Sequence, residues 1–246
     1  MSTTTTARSR SPVRCAFMQA KYIQAVCMSM PVRFALNRRR PAPMLFAPPM
    51  RSTRFDTAVS LAARIHDGDI RKGSEIPYLA HLLGTCALVL LDGGDEDEAI
   101  AALLHDALED HPETISREDI GAAFGPRVLA IVEACTDTPP DYAGGRKPPW
   151  RERKEAYLAH VRASAPEALR VSIADKLDNA RAILADYRAV GGAVWERFSA
   201  GEAEQLWYYE GLVAAYREAG ARGGLLDELA RIVTELVGLV TARRRS

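Results

Sequence analysis

Wherever apolar residues recur in this chain, they recur at helical spacing. In FDTAVSLAARIH, residues Phe55, Val59, Ala62 and His66 fall at i, i+4, i+7 and i+11, one face of a helix. LAHLLGTCALVLLDGG reads as a buried helix stopped by Gly93 and Gly94. DEDEAIAALLHDALED follows, with acids crowding its first turn where the helix dipole favours them, and Pro112 forbids a clean continuation. SREDIGAAFGPRVLAIVEAC opens on Ser116 as an N-cap, with Glu118 and Asp119 in the first turn. After the Pro/Gly-rich loop TPPDYAGGRKPPW come three more helical stretches, RERKEAYLAHVRAS, PEALRVSIADKLDNARAILADYR and SAGEAEQLWYYEGLVAAYREAG. The last segment puts Leu225, Leu226, Leu229, Ile232, Val233, Leu236, Val237 and Val240 on one stripe before Arg243, Arg244 and Arg245, an amphipathic helix that docks on the domain or on a partner. No strand alternation, internal repeat or Gly-rich phosphate loop interrupts the pattern. An all-α fold is the prediction.

The totals refine this picture in three ways. A length of 246 residues with 48% hydrophobic content suits one generous domain or two small ones. The 32 basic and 32 acidic residues balance, but residues 1–54 hold ten of the basic ones and no acid, so the remaining 192 residues carry 22 basic and 32 acidic groups. Such a body repels nucleic acid, and an anionic ligand must be met by a metal or by a few placed cations. Cys15, Cys27, Cys86 and Cys135 form no CxxC pair, which argues against a disulfide framework or zinc knuckle and fits a reducing cytoplasm. No apolar run reaches the ~20 residues of a membrane span. The Arg-rich, Ser/Thr-rich, acid-free start matches organellar transit composition, though the favoured reading is an unfolded tail or an upstream start codon followed by unselected sequence. RRRPAPMLFAPPM cannot form regular structure, so order is expected from about Phe55. The organisation read from this is a basic leader over 1–54, a helical domain over 55–222 and the C-terminal amphipathic helix over 223–246.

The chemistry concentrates in AALLHDALED. On a helix His105 and Asp106 are about 100° apart and can converge on one point, with Glu109 one turn from His105 and Asp110 one turn from Asp106. Four such groups interrupting an apolar helix cannot be buried bare, because each ionised carboxylate costs several kcal/mol. A divalent cation resolves the conflict. One His and one Asp make an incomplete shell for Mn²⁺, Fe²⁺ or Zn²⁺, and the chain offers His81, after IPYLA, and Asp175, in the apolar VSIADKL. Each has an ordinary reading too, His81 as a core histidine and Asp175 as the partner of Lys176 or Arg181. Asn179 shares the Asp175 face and can hydrogen-bond substrate or water. His66 reads as a packed, hydrogen-bonded histidine, and His111 and His160 as structural or exposed. Trp195, Trp207, Tyr208 and Tyr209 read as core packing, with one ring able to cover a purine.

The order His81, His105–Asp106, Asp175 resembles the H…HD…D pattern of HD-domain metal-dependent phosphohydrolases. RKGSEIPYLAH, AALLHDALED, FGPRVLAIVEACTD and IADKLDNAR further resemble the hydrolase domain of the stringent-response RelA/SpoT proteins and their small stand-alone relatives, over about residues 55–215. The resemblance implies a helical bundle with the metal site in its core, and one Mn²⁺ on His81, His105, Asp106 and Asp175. It implies Glu109 and Asp110 as catalytic carboxylates, and nucleotide contacts at Arg71, Lys72, Asn179 and Arg181. The implied reaction removes pyrophosphate from the 3′ position of guanosine tetra- or pentaphosphate. Its alternatives are an HD hydrolase of another nucleotide ester, such as NADPH or a deoxynucleotide, and a non-catalytic nucleotide-sensing module. The chain departs from the family pattern with Asp178 where His or Tyr is usual, His111 where Thr is common, and one more residue between Arg71 and Tyr78. The 24 residues after 222 are too few for a synthetase domain.

Overall fold

Ser52 caps the first helix by accepting from the backbone N–H groups of Arg54 and Phe55, so α1 (Thr53–Ile65) begins two residues before Phe55. The computed structural model describes residues 52–138 and 145–245. The readings made for residues 1–51 and for the middle of the Pro/Gly-rich loop lie outside the described residues. Helices α2 (Leu79–Leu91), α3 (Glu96–Leu104) and a single turn α4 (Ala107–Asp110) follow. Then come α5 (Arg117–Phe124), α6 (Pro126–Cys135), α7 (Trp150–Val161), α8 (Pro166–Val190), a 3₁₀ segment (Gly191–Arg197), α9 (Glu202–Glu218) and α10 (Gly224–Arg245). The fold is all-α. Among the described residues the only extended pairing is a bridge between Ile70 and Pro77.

Two helical stretches of the sequence divide. Gly125, with φ +89°, ends α5 in the left-handed region where a side chain is strained, and Pro126 starts α6 at a position that needs no N–H. Ser116 and Asp119 form the capping box that opens α5. The second division is functional in consequence. DEDEAIAALLHDALED was expected as one helix, but the chain turns at His105 and Asp106 between α3 and α4. The His105 ring donates from Nδ1 to the carbonyl of Ala102 at 2.9 Å, the acceptor that the Asp106 N–H takes in a continuing helix.

The 25-residue helix α8 is the axis of the bundle and lies against α2, α3, α6 and α10. Its buried polar groups are matched by neighbours: the Ser172 hydroxyl lies 2.6 Å from both Tyr157 of α7 and Tyr216 of α9. Arg170 reaches Glu98, itself part of the Asp95–Glu98 capping box of α3. Helix α10 buries Leu226, Leu229, Ile232, Val233, Leu236 and Val240, the stripe seen in the sequence, and packs on α8 and α9. Arg181 and Arg188 of α8 bridge to Glu228 and Glu235 of α10, and Arg243 and Arg244 close on Glu202 of α9. Among the described residues no helix is long and apolar enough to cross a membrane.

Leu229 is fully buried between these helices. Leu229→Ala should lower unfolding free energy by about 2–5 kcal/mol, the cost of a cavity in a packed core, read from urea titration followed by circular dichroism.

Candidate metal centre and active site

The turn between α3 and α4 aims His105 and Asp106 at the flank of α8, where Asp175 stands, while His81 enters from the first turn of α2. His105 Nε2 lies 3.0 Å from Asp106 Oδ2 and 3.6 Å from Asp175 Oδ1; His81 Nε2 lies 3.3 Å from Asp175 Oδ1 and 3.7 Å from Asp106 Oδ2. Both imidazoles are about 1% exposed, yet neither Nε2 makes a hydrogen bond among the described residues. Two buried nitrogens without a partner, facing two carboxylates at these separations, are a donor set that fits a divalent cation. Thus His81, His105 and Asp106 offer donor atoms within 4.8 Å of one another, and Asp175 from a third segment stands 3.3–3.6 Å from the two ring nitrogens.

The outer nitrogens of the rings are held by the protein. His105 uses Nδ1 on Ala102, and His81 Nδ1 lies 2.7 Å from Asp178 Oδ2. Each ring thereby turns its Nε2 inward, the arrangement by which an outer hydrogen bond orients a metal-binding histidine. Asp178 also accepts from Arg71 Nη1 at 2.6 Å, Arg71 Nη2 donates to Asn179 Oδ1 at 3.0 Å, and Asn179 Nδ2 donates to Asp175 Oδ1 at 2.6 Å. Room for Asp178 exists because Gly84 lacks a side chain: a Cβ there would stand 2.7 Å from Asp178 Oδ1. Tyr78 completes the enclosure, donating its hydroxyl to Asp106 Oδ2 at 2.6 Å.

Electrostatics follow from this crowding. Burial pulls the His105 and His81 imidazolium forms down, but the facing carboxylates outweigh it and raise both above the ordinary value. Burial opposes ionisation of Asp106 and Asp175, yet His105 for the first and Lys176 for the second, 2.5 Å away, hold them below the usual carboxylate range. Asp110 moves the other way, pushed up to about 6 by burial, with the charges of Asp106 and Glu109 adding.

Asp106, Glu109, Asp110 and Asp175 open onto a cavity of about 730 Å³. Arg71, Lys72 and Asn179 line it as well, so the structure brings together nine of the ten residues singled out in the sequence, counting His81 and His105 behind Asp106. Arg181 is the exception: it is held in a two-pronged pair with Glu228 at 2.8 and 3.0 Å and does not line the cavity. Sequence reasoning missed Lys154 and Arg197 on the cavity wall, and Lys147, which pairs with Glu109 at 2.8 Å. RERKEAY and GRKPP carry no periodic signal that separates a wall cation from a solvated one. His111, read as structural or exposed, also lines the cavity. Tyr208 and Tyr209 pack in the core as expected, though each also shows an edge to the cavity.

A helical bundle that gathers an H…HD…D set at its centre is the architecture of a defined class. The HD domain family model matches residues 58–201, more than half of the chain, and the chain belongs to that family. The Xenopus tropicalis guanosine-3′,5′-bis(diphosphate) 3′-pyrophosphohydrolase MESH1 is 38% identical over 127 residues, which are 50% of this chain and 66% of that protein. The Drosophila melanogaster protein of the same name is 32% identical over 133 residues, 53% of this chain and 69% of its own length. The aligned stretch therefore spans about two thirds of these relatives. The solved structure of a metazoan SpoT orthologue that hydrolyses ppGpp superposes with a TM-score of 0.62 at 27% identity, covering 77% of this chain and 98% of that one. A Listeria monocytogenes EGD-e crystal structure superposes at 0.54 with 30% identity, covering 63% of this chain and 97% of that one.

Asp178→Ala should weaken divalent-metal binding about 10–100-fold, the usual cost of removing a carboxylate behind a metal-binding histidine, by calorimetric titration of a variant whose near-ultraviolet circular dichroism is unchanged. Because the His81 and His105 imidazolium forms are raised, the ion displaces protons on binding. Affinity should therefore tighten as pH rises through and above the ordinary imidazole value, with proton release visible as a buffer-dependent binding enthalpy.

Proposed function

We propose that this chain hydrolyses the 3′-pyrophosphate of guanosine tetra- or pentaphosphate, giving GDP or GTP and pyrophosphate, with one Mn²⁺ on His81, His105, Asp106 and Asp175. The observation that carries the reading is the pair of buried, unpartnered Nε2 atoms facing two carboxylates at the wall of a cavity that also presents Glu109 and Asp110. The activity named for the relatives supports it.

When bound, the ion supplies Lewis acidity, lowering the pKa of a water and polarising the phosphoryl oxygen under attack. The chain's own groups do the remaining work. Glu109 stands outside the ligand set, where it can orient the attacking water and accept its proton. As the water oxygen bonds to phosphorus, the bond from phosphorus to the 3′ oxygen breaks, and that oxygen takes up a proton. Asp110, pushed up to about 6, is suited to deliver it near neutral pH. Arg71, Lys72, Lys154 and Arg197 on the wall supply positive charge for the pyrophosphate in a body that is otherwise acidic. Trp150 and Phe198, partly buried at the same cavity, offer faces for the purine. The ligand is thus a small nucleotide, and neither nucleic acid nor a membrane enters the reaction. Cys86 and Cys135, both free and buried, suit a reducing cytoplasm.

Asp106→Ala should abolish turnover and Mn²⁺ binding together, whereas Glu109→Gln should keep the metal and lose turnover by about 10²–10⁴-fold. The measurement is chromatography of a nucleotide panel, guanosine tetraphosphate and NADPH among them, with released phosphate and pyrophosphate assayed separately. Turnover retained in both variants, or release of phosphate alone, refutes the reading.

A further inference from the structure

A second group of donor atoms converges on the wall of the same cavity. Asp69 Oδ2 lies 2.9 Å from His66 Nδ1 and 2.7 Å from His111 Nε2, and one donor atom from each of the three falls within 4.8 Å of the others. The residues come from three places: the cap of α1, the turn after it, and the residue that ends α4. His66 is 3% exposed, its ring edge-to-face with His111 at 4.7 Å. The side chains of His111 and Asp69 are 20% and 37% exposed and line the cavity, which leaves room for water or a phosphate oxygen beside them. Among the described residues the Asp69 carboxylate pairs with the two imidazoles and with no Lys or Arg. The group is coupled to the first centre through Tyr78, whose ring stacks on His66 at 5.1 Å, meets His81 at 5.5 Å and donates its hydroxyl to Asp106.

We propose that His66, Asp69 and His111 form a second divalent-metal site, separate from the His81, His105, Asp106 and Asp175 centre and open to the same cavity. Two imidazoles and one carboxylate select a first-row ion such as Zn²⁺, Co²⁺ or Mn²⁺ over Ca²⁺ or Mg²⁺, which take mostly oxygen. Three protein ligands leave exchangeable positions, as in sites that take up an external oxygen rather than closed structural ones. The Asp69 oxygen stands 2.7–2.9 Å from the two ring nitrogens, closer than the 3.0–3.7 Å separations of the first centre, so the group opens by a few tenths of an ångström to admit an ion. A purely hydrogen-bonded strut, with each ring donating an N–H to Asp69, has the same distances but binds nothing.

Metal content separates the two and needs no substrate, so the result stands apart from the hydrolase reading. The full-length protein is dialysed to equilibrium against Zn²⁺ and the bound zinc counted by elemental analysis. His111→Thr and Asp69→Asn should each carry one ion fewer than wild type, Asp106→Ala likewise one fewer, and Asp106→Ala combined with His111→Thr two fewer. Counting differences cancels zinc held elsewhere in the chain. Asn at 69 is isosteric and can still accept one ring N–H, so it keeps the test decisive if His111→Thr does not fold. With Co²⁺, the wild type should show a visible absorption component that Asp69→Asn lacks. Equal zinc in wild type and a folded Asp69→Asn protein overturns the proposal and leaves the strut.

Discussion

The structure depends on holding two imidazoles and two carboxylates together at the buried wall of a cavity. Isolated, each ionised group would cost several kcal/mol to bury. Together, His81, His105, Asp106 and Asp175 neutralise one another in part, and their inward nitrogens and oxygens are left facing a shared point. Much of the fold serves that convergence. The turn at His105 breaks what is otherwise a continuous helix, α8 runs long enough to carry Asp175 at its middle with packed helices on every side, and α2 starts where His81 can reach inward. The apolar layers behind these groups exclude water on that side, which strengthens the charge interactions there.

Behind the inward-facing atoms lies a chain of fixed partners: Ala102 to His105, Asp178 to His81, Arg71 to Asp178 and Asn179, Asn179 to Asp175. The chain gives Arg71 two tasks. Its guanidinium balances the extra charge that Asp178 brings, and it stands on the cavity wall where an anion would meet it. An aspartate at 178 is tolerable only because Arg71 is beside it and Gly84 is opposite. What looks in sequence like an acidic intrusion near Asn179 is a matched pair in three dimensions.

Charge distribution follows the same logic at larger scale. Residues from 55 onward are net acidic, and many of their arginines are used between helices, as Arg181 with Glu228 and Arg170 with Glu98. The cations on the cavity wall come from distant segments, Lys72 before α2, Lys154 on α7, which also pairs with Asp137, and Arg197 after α8, which also pairs with Asp186. An anionic ligand is therefore met by a small, local set of positive groups on the cavity wall.

The all-α class, the main helical stretches and the candidate ligands were legible in the sequence, because periodicity and the spacing of His105, Asp106, Glu109 and Asp110 are local properties that the 3.6-residue repeat converts directly into faces. Splits at Gly125 and at His105 were less so: one needs a left-handed glycine recognised as such, the other a ring that captures a backbone carbonyl. What only the tertiary structure decided is which charges are spent and which are available. Arg181 and Arg71 sit ten residues or fewer from a proposed ligand or its motif and look alike in a string of letters, yet one is locked to α10 and the other reaches the cavity. His66, Asp69 and His111 are separated by up to 45 positions and meet only because the end of α1, the turn after it and the end of α4 come together beside Tyr78. Pairing across helices depends on packing distances that no single helix encodes, and for that physical reason it became visible only once the chain was folded.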